Sequence, residues 1–233
     1  MERKIILTED GSHTVSIPEM NVTYHSIHGA IQESQHVYIE AGLKFLVSSS
    51  APQQINIFEI GFGTGLNILL TFIEAEKRKV KIYYETVETF PLTEEEVKQL
   101  NYCQHLNRDD LQTIFQKFHS CEWGKEIQLS PSFYFKKKNS SLLNLPVRQT
   151  GFELLKHFEL IYFDAFDPKV QPELWTKEIF DKIFSILSPD GILVTYSSKG
   201  DVRRAMLASG FSVEKIPGAK GKREMIRAAK KLN

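Results

Sequence analysis

Three glycines and three carboxylates carry the chemistry this chain could do. Gly61, Gly63 and Gly65 alternate in Glu59-Ile60-Gly61-Phe62-Gly63-Thr64-Gly65, directly after the apolar residues Ile55, Ile57, Phe58 and Ile60 and before a helix-like stretch from Leu66 to Lys79. Glycine serves where the backbone must turn sharply or lie against a ligand without a Cβ in the way. A buried strand, a glycine loop and a helix in that order read as the holder of a cofactor. Glu59 lies at the end of this strand, Glu88 ends a second one (Lys81 to Glu88), and Asp164 ends a third apolar run, Leu160 to Phe163. Ligands of parallel α/β sheets sit at the carboxyl ends of the strands, so all three carboxylates are expected at one edge. One that faces the loop can receive a proton or orient an amine, the task read for Asp164. Asp167, just before Pro168, reads as a cap for its own loop.

Spacing narrows the cofactor. A dinucleotide fingerprint needs glycine at the sixth position counted from Gly61, where Leu66 stands, and no Gly-Lys-Ser/Thr marks a phosphate-binding loop. The pattern Glu-x-Gly-x-Gly-x-Gly that remains resembles motif I of class I S-adenosylmethionine methyltransferases. That resemblance implies that Glu59, Gly61, Gly63, Gly65 and Asn67 hold the amino acid part of S-adenosylmethionine and that Glu88 accepts both ribose hydroxyls, a carboxylate being a natural partner for a vicinal diol.

The elements that must position these residues follow in order. Lys4 to Leu7 and Thr14 to Ile17 flank Asp10-Gly11 as a hairpin, and Val22 to Ser26 reads as a short strand. Ala30 to Val47 fits a helix loosely, with Gly42 interrupting it, and 48–52 reads as a loop. Thr93-Glu94-Glu95-Glu96 is a capping box that opens a helix, and Asp109 to Phe118 is another. Ile127 to Phe135 reads as the third core strand, Leu154 to His157 as the end of a helix, Trp175 to Leu187 as a helix, Ser188 to Gly191 as a turn, and Ile192 to Tyr196 as a strand. Val202 to Ser209 is a helix, followed by strands Phe211 to Ile216 and Arg223 to Ala228. Strands alternating with helices predict a Rossmann-like α/β fold, a mostly parallel seven-stranded sheet with helices on both faces. Residues 1–54 form an N-terminal extension on a core domain of residues 55–233.

Composition fits a soluble enzyme: 233 residues, 42% hydrophobic and 25% charged, a size for one domain with an elaboration. No run of about 18 apolar residues suggests a membrane span. Two cysteines, Cys103 and Cys121, give no disulfide framework, and seven histidines show no metal-ligand spacing, so a reducing cytoplasm and no metal are expected. Net charge is zero, yet from Lys215 onward seven basic residues face only Glu224. Lys136-Lys137-Lys138 and Arg203-Arg204 add to the basic clusters, which could attract phosphates or simply be solvated.

Four stretches carry a narrower resemblance: Phe58 to Asn67, Val87 to Leu92, Tyr162 to Pro168 with Pro172 to Trp175, and Gly221 to Met225. Together they resemble the methyltransferase half of the MnmC family, bacterial bifunctional enzymes that finish 5-methylaminomethyl-2-thiouridine at the tRNA wobble position. The resemblance spans roughly residues 20–228 and implies methylation of the exocyclic amine of 5-aminomethyl-(2-thio)uridine. The family's Asp-Gly-Phe-x-Pro aspartate maps onto Asp164, with Ala165 replacing the glycine. The family's adenine-binding acid falls on Asn139, whose carbonyl oxygen can still accept. Tyr24 and Glu33 match the family's entry segment over the pocket. The FAD-dependent oxidase half is absent from this sequence, which implies that a separate enzyme supplies the aminomethyl group. On a tRNA substrate, Phe166, Trp175 and Tyr196 are candidates to stack on a splayed-out uracil, and Lys199, Arg203, Arg204, Lys220, Lys222 and Arg223 to hold anticodon-loop phosphates. Two rival readings remain: a transferase of the same fold acting on a small amine, including polyamine-type aminopropyl transfer, and a non-catalytic binding module.

Overall fold

The structure, a computed structural model, describes residues 2–50, 52–144 and 157–231. Strands β1 (Lys4–Leu7), β2 (His13–Ile17) and β3 (Val22–Thr23) form a small antiparallel sheet in that order. A continuous helical rod follows, α1 (Ala30–Ser34), a π-helical stretch Gln35–Lys44, and α2 (Phe45–Ser50). Ser48 to Ser50 thus extend a helix instead of forming the expected loop.

The main sheet then begins with β4 (Gln54–Ile60), α3 (Leu66–Arg78) and β5 (Lys81–Glu88). Helices α4 (Glu94–Lys98), α5 (Tyr102–His105) and α6 (Gln112–Ser120) lead to β6 (Glu126–Ser130) and β7 (Phe133–Asn139). After β8 (Phe158–Phe163) come α7 (Lys177–Ile186), β9 (Leu187–Thr195), α8 (Gly200–Ala208), β10 (Ser212–Pro217) and β11 (Glu224–Ala229). The predicted helix end at Leu154 to Lys156 lies outside the described residues.

Strand order is β10-β11-β9-β8-β4-β5-β7-β6, with β9, β8, β4, β5 and β7 parallel and both edges antiparallel. The sheet has eight strands where seven were read, because Ile127 to Phe135 is not one strand. The chain reverses at Pro131-Ser132, so β6 pairs antiparallel with β7. Proline has no N–H for a central ladder, which makes this reversal intelligible after the fact. Similarly, the turn read at Ser188 to Gly191 is absorbed into β9 as a register shift, with Asp190 at φ 58°.

Each central strand is buried on both faces, as parallel sheets require. Ile55, Ile57, Leu160 and Tyr162 face a layer made of the rod, α3 and α6, whereas Phe58, Ile60, Ile161 and Phe163 face α7 and α8. The rod reaches that close because Gly42 has no side chain. A Cβ there would stand 3.1 Å from Val194 Cγ2 and 3.3 Å from Tyr162 Cε1. The glycine that weakened the helical reading is the contact that seats the helix.

Another misread stretch is Lys136-Lys137-Lys138, which is strand β7, not a solvated loop. Lys137 is fully buried; its ammonium donates to His119 O in the last turn of α6 and lies 4.4 Å from the Trp123 ring centroid. A cation at a helix carboxyl terminus is favourable there. Among the described residues no helix is long and apolar enough to cross a membrane. Gly42→Val is expected to lower the unfolding free energy by about 2 kcal/mol or more through overpacking against β8 and β9, measured by urea denaturation; an unchanged midpoint would show that the rod can lift off the sheet at no cost.

Candidate functional site

Sheet order reverses between β4 and β8, and at a reversal the loops leaving two neighbouring strands diverge to opposite faces and leave a crevice. A cavity of about 700 Å³ opens there. It is lined by Gly61, Gly63 and Asn67 after β4, Glu88 at the end of β5, Asp164 and Phe166 after β8, and Tyr24, Glu33, Tyr196 and Lys222 from elsewhere in the chain. Its size lies in the range of small-molecule and cofactor pockets.

The three loop glycines all have positive φ, at 88°, 50° and 74°. Each also makes room for protein. A Cβ on Gly61 would stand 2.5 Å from Asp164 O, one on Gly63 3.1 Å from the Tyr24 ring, and one on Gly65 2.8 Å from His119 Nε2. Gly65 does not line the cavity; it caps the start of α3 and leaves space for His119, whose ring nitrogen meets Thr64 O at 3.1 Å.

Behind the loop lies a buried polar chain. Asn67 Nδ2 donates to Glu59 Oε1 at 3.0 Å and to Asp164 Oδ2 at 2.8 Å. Glu59 is fully buried and does not line the cavity, so it acts on the site through Asn67 and not by direct contact, a correction to the sequence reading. Burial, reinforced by the charge of Asp164, raises the Glu59 carboxyl to about 8. Burial likewise raises Asp164 to about 7, with Glu33 pushing the same way and Asn67 and Lys222 opposing. Tyr38, missed by sequence reading because it lies in the irregular helical rod, adds a fully buried ring whose hydroxyl is held protonated by burial and by the neighbouring Asp164 carboxylate.

Glu88 is already a structural acceptor. Its Oε1 accepts Thr89 N–H at 2.7 Å and Phe90 N–H at 2.8 Å, and its Oε2 accepts Gly63 N–H at 2.9 Å. A carboxylate has about four lone-pair sites. One therefore remains for a hydroxyl from the cavity side, where two were expected. Asn139 is exposed and outside the cavity; Ser140 and Ser141 occupy the wall there.

Phe166 faces the cavity, its ring 5.1 Å edge-to-face from Tyr24. Trp175 does not: it is buried, and its indole N–H donates to Phe166 O at 2.9 Å, so it holds Phe166 in place. Tyr196 lines the cavity, but Lys222 Nζ sits 3.9 Å from its ring centroid and covers it. Asp167 caps its loop as read, accepting Lys169 N–H at 2.8 Å, and pairs with Lys199, which leaves that lysine outside the cavity. Lys220 pairs with Glu9 at 3.1 Å. Arg203, Arg204 and Arg223 are exposed, outside the cavity and without an ion pair among the described residues. Sequence reading also missed His25, a buried cavity residue whose imidazole burial holds neutral, with a pKa of about 4; its signal was its place between Tyr24 and Ser26.

Residues 110–231, more than half of the chain, match a family described as S-adenosyl-L-methionine-dependent methyltransferase. The chain belongs to this family. S-adenosylmethionine is accordingly the cofactor, and the cavity fits it. The wall offers the one free acceptor site of Glu88 and the loop residues Gly61 to Thr64, and behind it lies Asn67 Oδ1, a buried acceptor with no protein partner among the described residues. The chain is 29% identical over 232 residues to the tRNA 5-methylaminomethyl-2-thiouridine biosynthesis bifunctional protein MnmC of Aromatoleum aromaticum, covering 96% of this chain and 35% of that protein. Similarity to MnmC of Idiomarina loihiensis is 28% over 209 residues, covering 87% of this chain and 34% of the relative. The chain thus spans about a third of the length of the curated relatives it matches. Among solved structures, MnmC2 from Aquifex aeolicus superimposes with a TM-score of 0.75 at 23% identity, covering all of this chain and 72% of that one, which establishes the fold. A probable spermidine synthase from Corynebacterium glutamicum shares the fold more loosely, with a TM-score of 0.54 at 14% identity, covering 99% of this chain and 77% of that one.

Two predictions follow from the buried carboxylates. Because the Glu59 and Asp164 pKa values lie above their unfolded ones, the folded chain binds more protons, and this contribution to stability is lost as pH rises through about 7 to 8. His25 and His119 are depressed to about 4 and 3, so their contribution is lost only as pH falls below the ordinary histidine range. The histidines offset part of the carboxylate slope near pH 6.5, and above about pH 7.5 the carboxylates act alone. The melting temperature of the ligand-free protein is expected to fall between pH 6.5 and 8.5, by an amount corresponding to about 2 kcal/mol, and Glu59→Gln to remove most of that slope; a flat wild-type profile would show both groups ionised at neutral pH. For Glu88→Gln, calorimetry is expected to give a Kd for S-adenosylmethionine at least about tenfold weaker, because an amide cannot accept on both sides. An unchanged Kd would remove Glu88 from the cofactor pocket.

Proposed function

We propose that this chain methylates the exocyclic amine of 5-aminomethyl-(2-thio)uridine at the wobble position of tRNA, giving 5-methylaminomethyl-(2-thio)uridine. The observation that carries the reading is Asp164, a part-buried carboxylate held by Asn67, with a pKa near neutrality, that opens onto the cavity of a methyltransferase. Support for the substrate comes from similarity to MnmC proteins along nearly the whole chain.

S-adenosylmethionine, when bound, supplies an electrophilic methyl group whose departure leaves a neutral thioether. The work of the protein is then to present an amine with a free lone pair. An alkylamine is largely protonated near neutral pH, and Asp164 is matched to take that proton. Asn67 holds the carboxylate at one oxygen, fixing its direction. Phe166 and Tyr24 form an aromatic wall on which a base turned out of the anticodon loop can rest. Exclusion of water and alignment supply much of the rate. Arg203, Arg204 and Arg223, exposed and without an ion pair among the described residues, are open to anticodon-loop phosphates.

The test is transfer of labelled methyl to tRNA carrying the aminomethyl nucleoside, followed by nucleoside analysis. Asp164→Asn is expected to lower kcat about 100-fold while leaving S-adenosylmethionine affinity within a few fold. In the wild type kcat/KM is expected to rise through about pH 7 as Asp164 ionises, and the variant is expected to lack that limb. Methylation of small amines with no labelled nucleoside would replace the tRNA reading with a small-molecule transferase. A retained rate in Asp164→Asn would remove Asp164 as the base.

A further inference from the structure

Lys222 was grouped with phosphate-binding cations by the sequence, and the folded chain gives it a different post. It lies in the turn between β10 and β11, where Lys222 N donates to Ala219 O at 2.8 Å. Gly221 has φ 83°, and a Cβ there would stand 2.4 Å from His28 Cδ2, so the turn presses against the N-terminal segment. From there the side chain reaches into the cavity. Nζ lies 2.6 Å from Glu33 Oε1 and 3.9 Å from the Tyr196 ring centroid.

Both supports are fixed. The Glu33 side chain is 8% exposed, and its other oxygen accepts Ser26 N–H at 2.6 Å. The Tyr196 hydroxyl donates to Ala165 O at 2.8 Å, one residue from Asp164. An ammonium has three N–H donors. Glu33 takes one and the ring face shields a second side, which leaves a donor open to the cavity that Lys222 lines. Asp164 opens onto the same cavity.

In a pyrimidine bearing an aminomethyl group at C5, the oxygen on C4 is on the adjoining ring atom, so amine and oxygen leave the same edge of the base. We propose that Lys222 donates its open N–H to the 4-carbonyl oxygen of the target base and thereby sets the register that brings the amine to Asp164. The inference rests on the tRNA reading above and adds to it a residue that reads the base. Uracil presents an acceptor at position 4, whereas cytosine presents an amino donor that would face a cation. A site built for an acceptor rejects a donor strongly, because the buried charge is left without its partner. Since Lys222 covers Tyr196, stacking falls to Phe166.

The experiment uses anticodon stem-loops carrying 5-aminomethyluridine or 5-aminomethylcytidine at the wobble position. The wild type is expected to favour the uridine in kcat/KM by at least about tenfold. Lys222→Met combined with Glu33→Gln, so that no buried carboxylate loses its cation, is expected to lower kcat/KM on the uridine by roughly ten- to hundredfold and to bring the ratio of the two substrates near one. Lys222→Arg keeps a charged donor and is expected to keep the preference. S-adenosylmethionine affinity, measured alongside, is expected to be unchanged and reports that the variants are folded. A preference retained in the double variant, or equal use of both bases by the wild type, overturns the assignment. A wild type that binds S-adenosylmethionine and methylates neither stem-loop overturns the tRNA reading, and the base-reading role with it.

Discussion

At Gly61 the loop leaving β4 crosses the end of β8 so closely that a side chain there would meet Asp164 O at 2.5 Å. The same few residues are stitched on both sides: Asp164 N donates to Ile60 O at 3.0 Å, and Gly61 N donates to Val87 O at 3.1 Å on β5. The ends of β8 and β5 are thereby tied to the end of β4 from either side, so Asp164 and Glu88 share one mount. Catalysis that depends on alignment needs this kind of mount more than it needs a strong base.

Stability is given up at the same place. Glu59, Asn67 and Asp164 place two carboxyl groups in a buried chain joined by one amide, with Glu59 Oε2 and Asn67 Oδ1 unpartnered. Unpartnered buried polar atoms each cost about 1–3 kcal/mol. The arrangement keeps Glu59 neutral near pH 7 and brings Asp164 into the range where it can exchange a proton. An apolar residue at position 59 would relieve the cost and lose the acceptor that orients Asn67. The strain belongs to function, which is where departures from local consistency concentrate.

Local features were legible in the sequence and long-range ones were not. Alternating glycines, the capping box at Thr93, where Thr93 Oγ1 accepts Glu96 N–H at 3.2 Å, and the β1–β2 hairpin are set by neighbours in the chain. The resemblance to known methyltransferases located Asp164 and Glu88. What charge counting could not give was pairing across the fold. The basic C-terminal stretch meets Glu9, Glu33, Glu214 and Glu224, which neutralise Lys220, Lys222, Arg227 and Lys215. Lys137 is buried although it lies in a run of three lysines, because α6 supplies a carbonyl that only the folded chain brings near. Aromatic type alone could not separate Phe166, which faces the cavity, from Trp175, which braces it from behind.

Those pairings also explain why both ends of the chain belong to the site. Tyr24, His25 and Glu33 come from the N-terminal segment and Lys222 from the last hairpin, yet all line one cavity whose floor is the central sheet. Glu9 with Lys220 and Glu33 with Lys222 join the two ends across its mouth. The two pairs are not equivalent. Glu9 and Lys220 are about half exposed, so that contact is screened and adds little. Glu33 is nearly buried, and breaking its pair would strand a charge in the wall of the cavity. The inner pair therefore holds this wall of the cavity more firmly than the outer one. Arg203, Arg204 and Arg223, without an ion pair among the described residues, do not line the cavity, so on the tRNA reading capture of a polyanion and recognition of a single base fall to different cations.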